Sequence, residues 1–232
     1  MLDLSKLSFQ SVEHHGMAVH ALSSEMIRGN MMEIIPLVSE INSRAFGFSR
    51  TTPASETEQR LQSTDMLILA EAQNGVMGFA SYQLIECNQT TVAYQSRGID
   101  PKAQRAGLGR LFARIACQTL GPDVLAARAQ NPASILATIR SGMLEQVMPV
   151  DRLYGDSTEM QKVLIDLVEA RGFAGNVDLT TGLQKSAYPM GKLGDYRVDT
   201  DNSEIRRIEE VLISIGLDRM RGDTVYYMGC VI

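Results

Sequence analysis

Apolar residues recur along this chain at two periods, and the periods predict its elements. Leu108, Leu111, Phe112 and Ile115 stand at i, i+3, i+4 and i+7, which predicts a helix with one buried face from Leu108 to about Leu120, where Gly121-Pro122 stops it. The same spacing joins Met160, Val163, Leu164, Leu167 and Val168, between Asp156 and Gly172. It also joins Ile205, Ile208, Val211, Leu212 and Ile215, ahead of Gly216. A further stripe, Ile34, Val38 and Ile41, follows Asn30-x-x-Glu33, which has the form of a capping box; Pro36 predicts that this helix is kinked or starts later than Met31. Shorter helices are expected over about 54–62 and 132–140. Strand-like runs cover about 17–22, 66–72, 76–85, 91–99, 124–130 and 224–232. Asn74-Gly75 separates two of them and suits a two-residue type I′ hairpin turn. Strands alternating with helices predict an α/β (α+β) domain with a mixed sheet.

Composition narrows the class. With 232 residues and 44% hydrophobic content the chain can bury a substantial core. A formal charge of −5 argues against nonspecific binding of nucleic acid or of an anionic membrane, since both need an excess of Lys and Arg. Three cysteines without a CxxC spacing indicate neither a disulfide framework nor a metal site, and a reducing cytoplasmic setting is expected. No basic region followed by an apolar run opens the sequence, and no apolar stretch approaches the ~18 residues of a membrane helix. Thirteen methionines and no tryptophan are read as core filler of irregular shape.

The stretch with chemical content runs from 91 to 110, a strand entering a glycine-containing turn and then a helix. Helices usually begin at Ser, Thr, Asp or Asn, whose oxygen accepts one of the first orphan N–H groups. Gln104, Arg105, Ala106 and Gly107 stand there instead. Gly107 and Gly109 lack Cβ atoms, so a bulky anion can approach the main chain, and the helix dipole favours negative charge at that end. Arg105 and Arg110 sit at the positive end of that dipole, a poor place for cations unless an anion shares it. These features predict a phosphate site; a tight turn without a ligand is the plain alternative.

The spacing Gln104-x-x-Gly107-x-Gly109 resembles the acyl-CoA-binding motif of the GCN5-related N-acetyltransferases, the GNAT superfamily. Ile99-Asp100-Pro101 is similar to that family's Val-x-Pro element, the run 124–130 to its next strand, and Asn131 to the asparagine opening its next helix. Thr138-Ile139-Arg140-Ser141-Gly142-Met143 resembles its Tyr-x-Lys-x-Gly-Phe segment. The resemblance covers about 30–143, with the last strand supplied by the C-terminus. It implies a GNAT-like mixed, mostly antiparallel sheet flanked by helices, in a single domain over 1–232 with an enlarged C-terminal region over 144–232. It further implies acetyl-CoA as co-substrate, held by Ile99, Gln104, Arg105, Ala106, Gly107, Leu108, Gly109, Arg110 and Asn131, and an amine acceptor, small molecule or protein. A homodimer is compatible with it.

The resemblance thins at the catalytic side chains. Where many members carry an acidic tyrosine this chain has Thr138, and where some carry a glutamate base it has Ala93. Tyr94 is adjacent, but strand alternation turns it to the other face. Glu71, Glu86, Tyr154 and Tyr188 are read as structural or solvated, and His14-His15 is not read as a metal pair because adjacent strand residues face opposite ways. No catalytic side chain is assigned. A catalytically silent CoA-binding module is therefore the first rival to an acetyltransferase, and a nucleotide-binding α/β protein the second. The segment 186–197 is read as either an acceptor-pocket loop or a plain connection.

Overall fold

The computed structural model describes residues 3–47, 53–173, 176–189, 191–194 and 198–232. In chain order the helices and strands are α1 (Leu4–Leu7), β1 (Gln10–His14), β2 (Met17–Ser23), α2 (Ser24–Gly29), α3 (Met31–Phe46), α4 (Ala54–Gln62), β3 (Met66–Ala72), β4 (Gly75–Cys87) and β5 (Thr90–Ile99). There follow α5 (Leu108–Leu120), β6 (Val124–Ala129), α6 (Pro132–Ile139), β7 (Leu144–Met148), α7 (Thr158–Ala170), β8 (Leu183–Gln184), α8 (Ser203–Ser214) and β9 (Thr224–Val231). This is a mixed α/β chain whose strands pair mostly antiparallel and are flanked by helices, as the patterning predicts. It divides into two compact units, 1–83 with 95–112 and 84–94 with 113–232, so that β4, β5 and α5 have residues in each.

In the first unit β1, β2, β3 and β4 pair successively and antiparallel. Leu22, Leu67, Leu69 and Phe79 from the strands form a core with Ile27 of α2, Ile34, Val38 and Ile41 of α3, and Leu61 of α4. The strand β1 was not foreseen; it is closed onto β2 by His15 and Gly16, both at positive φ, the requirement of a type I′ turn. Helix α3 departs from expectation at its start. It begins at Met31, and the Asn30 side chain caps nothing in it, donating instead to the Met26 carbonyl of α2. Pro36 lies inside the helix. A proline there costs about 3 kcal/mol, whereas each buried Ile or Val contributes roughly 1.5–3 kcal/mol, so the stripe outweighs the lost hydrogen bond. The β3–β4 hairpin also turns one residue earlier than expected: Ala72 pairs with Gly75, leaving Gln73-Asn74 as the loop, and only Gly75 takes a positive φ, +104°.

In the second unit β6, β9 and β7 pair antiparallel in that order, and β8 adds to β9. Both faces of this sheet are covered. Val124 and Ala126 of β6 and Tyr226 and Met228 of β9 pack against Met160, Val163, Leu164, Leu167 and Val168 of α7. The alternating residues Ala127, Ala129, Val225 and Tyr227 pack against Ile135 of α6 and Ile205, Ile208 and Leu212 of α8. A strand buried on both sides reads as a continuous apolar run, which explains the sequence VLAARA of β6.

Candidate functional site

The turn that carries the phosphate reading lies wholly in the first unit. At the end of β5, Gly98 permits a close approach: a Cβ there would stand 2.7 Å from Phe79 Cε1. The main-chain N–H of Asp100 then donates to the Met77 carbonyl at 2.8 Å, and its carboxylate accepts from the Lys102 N–H at 2.9 Å, opening a single 3-10 turn over Pro101–Ala103. Arg44 of α3 pairs with the Asp100 carboxylate at 2.7 Å and donates to the Val76 carbonyl, tying the turn to α3 and β4. The Gln104 amide reaches back to the Ile99 carbonyl at 3.4 Å.

Beyond this anchor the main chain turns through two left-handed residues, Arg105 at φ +72° and Gly107 at φ +77°. Helix α5 begins at Leu108, and the Gly107 carbonyl accepts its first bond, from Leu111. A glycine offers no side chain to cap the helix. Among the described residues the main-chain N–H groups of Gly107, Leu108, Gly109 and Arg110 meet no acceptor. Four adjacent unpaired donors at a helix start have the form of an anion cradle. What borders the cradle is basic: a Cβ at Gly107 would stand 3.6 Å from Arg110 Nη2 and 3.6 Å from His14 Nε2. Arg105 and Arg110 are exposed, and Arg97 donates to the Gly109 carbonyl at 3.1 Å.

His14 was not foreseen here. Its Nε2 lies 2.8 Å from the Ala106 carbonyl, across 92 residues of sequence. A carbonyl only accepts, so this nitrogen carries the proton. The His14 ring is met edge-on by that of His15 at 4.4 Å.

The remaining sequence candidates lie elsewhere in the fold. Asn131 of the second unit accepts from the Ala133 N–H at 2.9 Å and caps α6. Thr138 is fully buried, its hydroxyl bonded to the Ser134 carbonyl and 3.0 Å from the Tyr227 hydroxyl. Ala93 is buried in β5. Tyr154 donates to the Tyr226 carbonyl at 3.0 Å from a fully buried position, and burial pushes its pKa well up, so it holds its proton. Glu71 faces His20 at 3.6 Å, and Glu86 accepts from the Thr91 hydroxyl. In the segment 186–197, Met190, Asp195, Tyr196 and Arg197 lie outside the described residues, while Leu193 donates its N–H to the Gln130 side chain. An open hollow of about 450 Å³ beside it is lined by Lys192, Val198, Leu217, Asp218, Arg219 and Met220. No residue of the 99–110 turn lines it.

No family model matches the sequence, and no curated protein matches it. Solved structures do match by shape. The three described next are named as acetyltransferases. One, a GNAT-family acetyltransferase from Streptococcus pneumoniae, is 11% identical, covers 93% of this chain and 99% of its own, and gives a TM-score of 0.47. An aminoglycoside acetyltransferase from an uncultured soil metagenomic sample, solved with sisomicin, is 17% identical over 56% of this chain and 91% of its own, with a TM-score of 0.43. A putative acetyltransferase from Salmonella typhimurium, solved with acetyl-CoA, is 19% identical over 58% of this chain and 84% of its own, with a TM-score of 0.39.

Proposed function

We propose that the chain is a GNAT-like acyltransferase that moves an acetyl group from acetyl-CoA to an amine. The observation that carries this reading is the row of four unpaired N–H groups from Gly107 to Arg110, bordered by Arg110 and His14. Those donors, with Gln104, Arg105 and Ala106 shaping the turn, hold the diphosphate. Main-chain groups at Ile99, the end of β5, meet the acyl arm, as the resemblance to the family implies. The amine nitrogen attacks the thioester carbonyl carbon, the carbon–sulfur bond breaks, the amine loses a proton and the departing thiolate gains one. With Thr138 and Ala93 buried where a tyrosine acid and a glutamate base would stand, positioning of the two reactants supplies most of the rate.

The same two residues favour a second reading, a CoA-binding module without turnover. One experiment separates them. Purified full-length chain is mixed with CoA, ATP or NAD and its melting is followed; then thiol release from acetyl-CoA is measured with a panel of primary amines. At a hundred times its Kd, CoA stabilises by about 2.7 kcal/mol, a rise on the order of 5–10 °C for a chain of this size. Stabilisation by CoA with amine-dependent thiol release supports the transferase. Stabilisation without release supports the module, and stabilisation by ATP or NAD alone overturns both.

A further inference from the structure

The second unit contains an arginine that the phosphate turn does not explain. Arg128 of β6 is half-buried. Its Nε donates to the Tyr94 hydroxyl at 3.1 Å and its Nη1 to the Gln184 side-chain oxygen at 3.0 Å. Both acceptors are neutral. Among the described residues Nη2 has no partner, and no carboxylate pairs with this guanidinium. By contrast Arg44, Arg140, Arg207, Arg219 and Arg221 each meet an Asp or Glu. A guanidinium drawn out of water normally takes a carboxylate in a two-bond fork, so this one has half of its fork satisfied and the anion missing.

A second observation points the same way. Tyr226 stands directly opposite Arg128 in the β6–β9 register, on the same face of the sheet. Its hydroxyl is completely buried and, among the described residues, has no hydrogen-bond partner. An orphaned buried hydroxyl costs roughly 1–3 kcal/mol, which a partner from outside the chain would offset. The Arg128 guanidinium carbon lies 5.8 Å from the Tyr226 ring centre, 4.6 Å from that of Phe173 and 5.7 Å from that of Tyr188. These rings hold the guanidinium in place without neutralising it, and they offer apolar surface beside it.

We infer that Arg128 and Tyr226 form a recognition site for the carboxylate of a small organic ligand, whose body lies against Phe173 and Tyr188. One carboxylate oxygen takes the free Arg128 Nη2 and the other accepts from the Tyr226 hydroxyl, so the ligand supplies both missing partners. If the acetyl-transfer reading also holds, on which this last step rests, the acceptor carries an amine and a carboxylate together and is an amino acid.

The test is direct binding to the full-length chain without acetyl-CoA, so that its outcome is independent of transfer. The twenty free amino acids are titrated calorimetrically beside their primary amides, which keep the amine and lose the negative charge. At least one amino acid binds, and its amide binds roughly 10- to 100-fold more weakly, the span of a charge-assisted hydrogen bond. Arg128→Gln lowers that affinity by a similar factor. Because Arg128→Gln also loosens the Tyr94 and Gln184 contacts, Tyr226→Phe is the cleaner variant. It deletes an oxygen that bonds nothing in the free protein, so it leaves melting unchanged or raised while weakening the amino acid. Absence of binding by every amino acid, equal binding of acid and amide, or full affinity in Tyr226→Phe would each overturn the inference. Binding of an amino acid by a chain that has no affinity for CoA would leave it standing and remove only the transfer step.

Discussion

Replacing Gly107 with alanine probes the proposed phosphate cradle at its centre, and its two effects separate cleanly. The first is strain. Gly107 sits at φ +77°, where a side chain costs about 1–2 kcal/mol. Packing adds nothing, since the nearest atoms to the new methyl, Arg110 Nη2 and His14 Nε2, are both at 3.6 Å, an ordinary van der Waals distance. For a chain of this length each kcal/mol lowers Tm by about 2–4 °C, so melting falls by about 2–8 °C. The second effect is on the ligand. The methyl occupies the space through which an anion approaches the N–H groups, and losing one charged hydrogen bond costs about 1.5–3 kcal/mol, which raises the Kd for CoA roughly 10- to 150-fold. Gly75→Ala is the control: its φ of +104° brings comparable strain, and nothing lies within 4 Å of the added carbon. Calorimetric titration with CoA and a melting curve on the three proteins give the result. A folded Gly107→Ala protein that binds CoA as tightly as Gly75→Ala would refute the cradle.

Two further outcomes follow from buried titratable groups. Burial pushes the Asp223 carboxyl up, but the Arg221 guanidinium and the N–H groups of Ser186 and Asp218 more than offset it and hold it below the usual value. A depressed folded value means that its stabilisation is complete above the unfolded pKa, about 3.9, and disappears as pH falls through the folded one. Asp223→Asn is therefore expected to cost about 1–3 kcal/mol at pH 7 and to narrow its deficit at pH 3 in urea unfolding; a deficit equal at both pH values would contradict this. Burial also pushes the Cys87 and Cys117 thiols to about 11, while Cys230 is only partly buried. Native protein at pH 8 should expose a single thiol to a disulfide reagent and three after denaturation, and rapid modification of Cys87 or Cys117 in the native state would count against the packing described.

Much of this architecture was legible from spacing alone. The α5 stripe gave both ends of its helix, and all five apolar residues of the α7 stripe are buried. Helix α3 shows where local rules compete: the capping motif pointed to a start at Met31 and the proline to a kink or a later start, and with Ile34, Val38 and Ile41 buried the helix begins at Met31. At the candidate site the sequence located the turn and its missing cap. It gave no sign of His14, because nothing local marks a histidine that bonds a carbonyl 92 residues away. Arg128 was equally silent, a single charge inside an apolar strand.

The sequence by itself determined the periodic elements, the two glycines and two arginines of the turn, and the absence of a capping side chain at α5, because each is a property of neighbouring residues. Tertiary structure decided which polar groups keep partners. It left four N–H groups open beside His14, spent the Asn131 oxygen on its own helix, and set an unpaired Tyr226 hydroxyl opposite an arginine without its anion. Hydrogen-bond satisfaction is a sum over neighbours in space, and those neighbours are fixed only when strands from distant parts of the chain come into register.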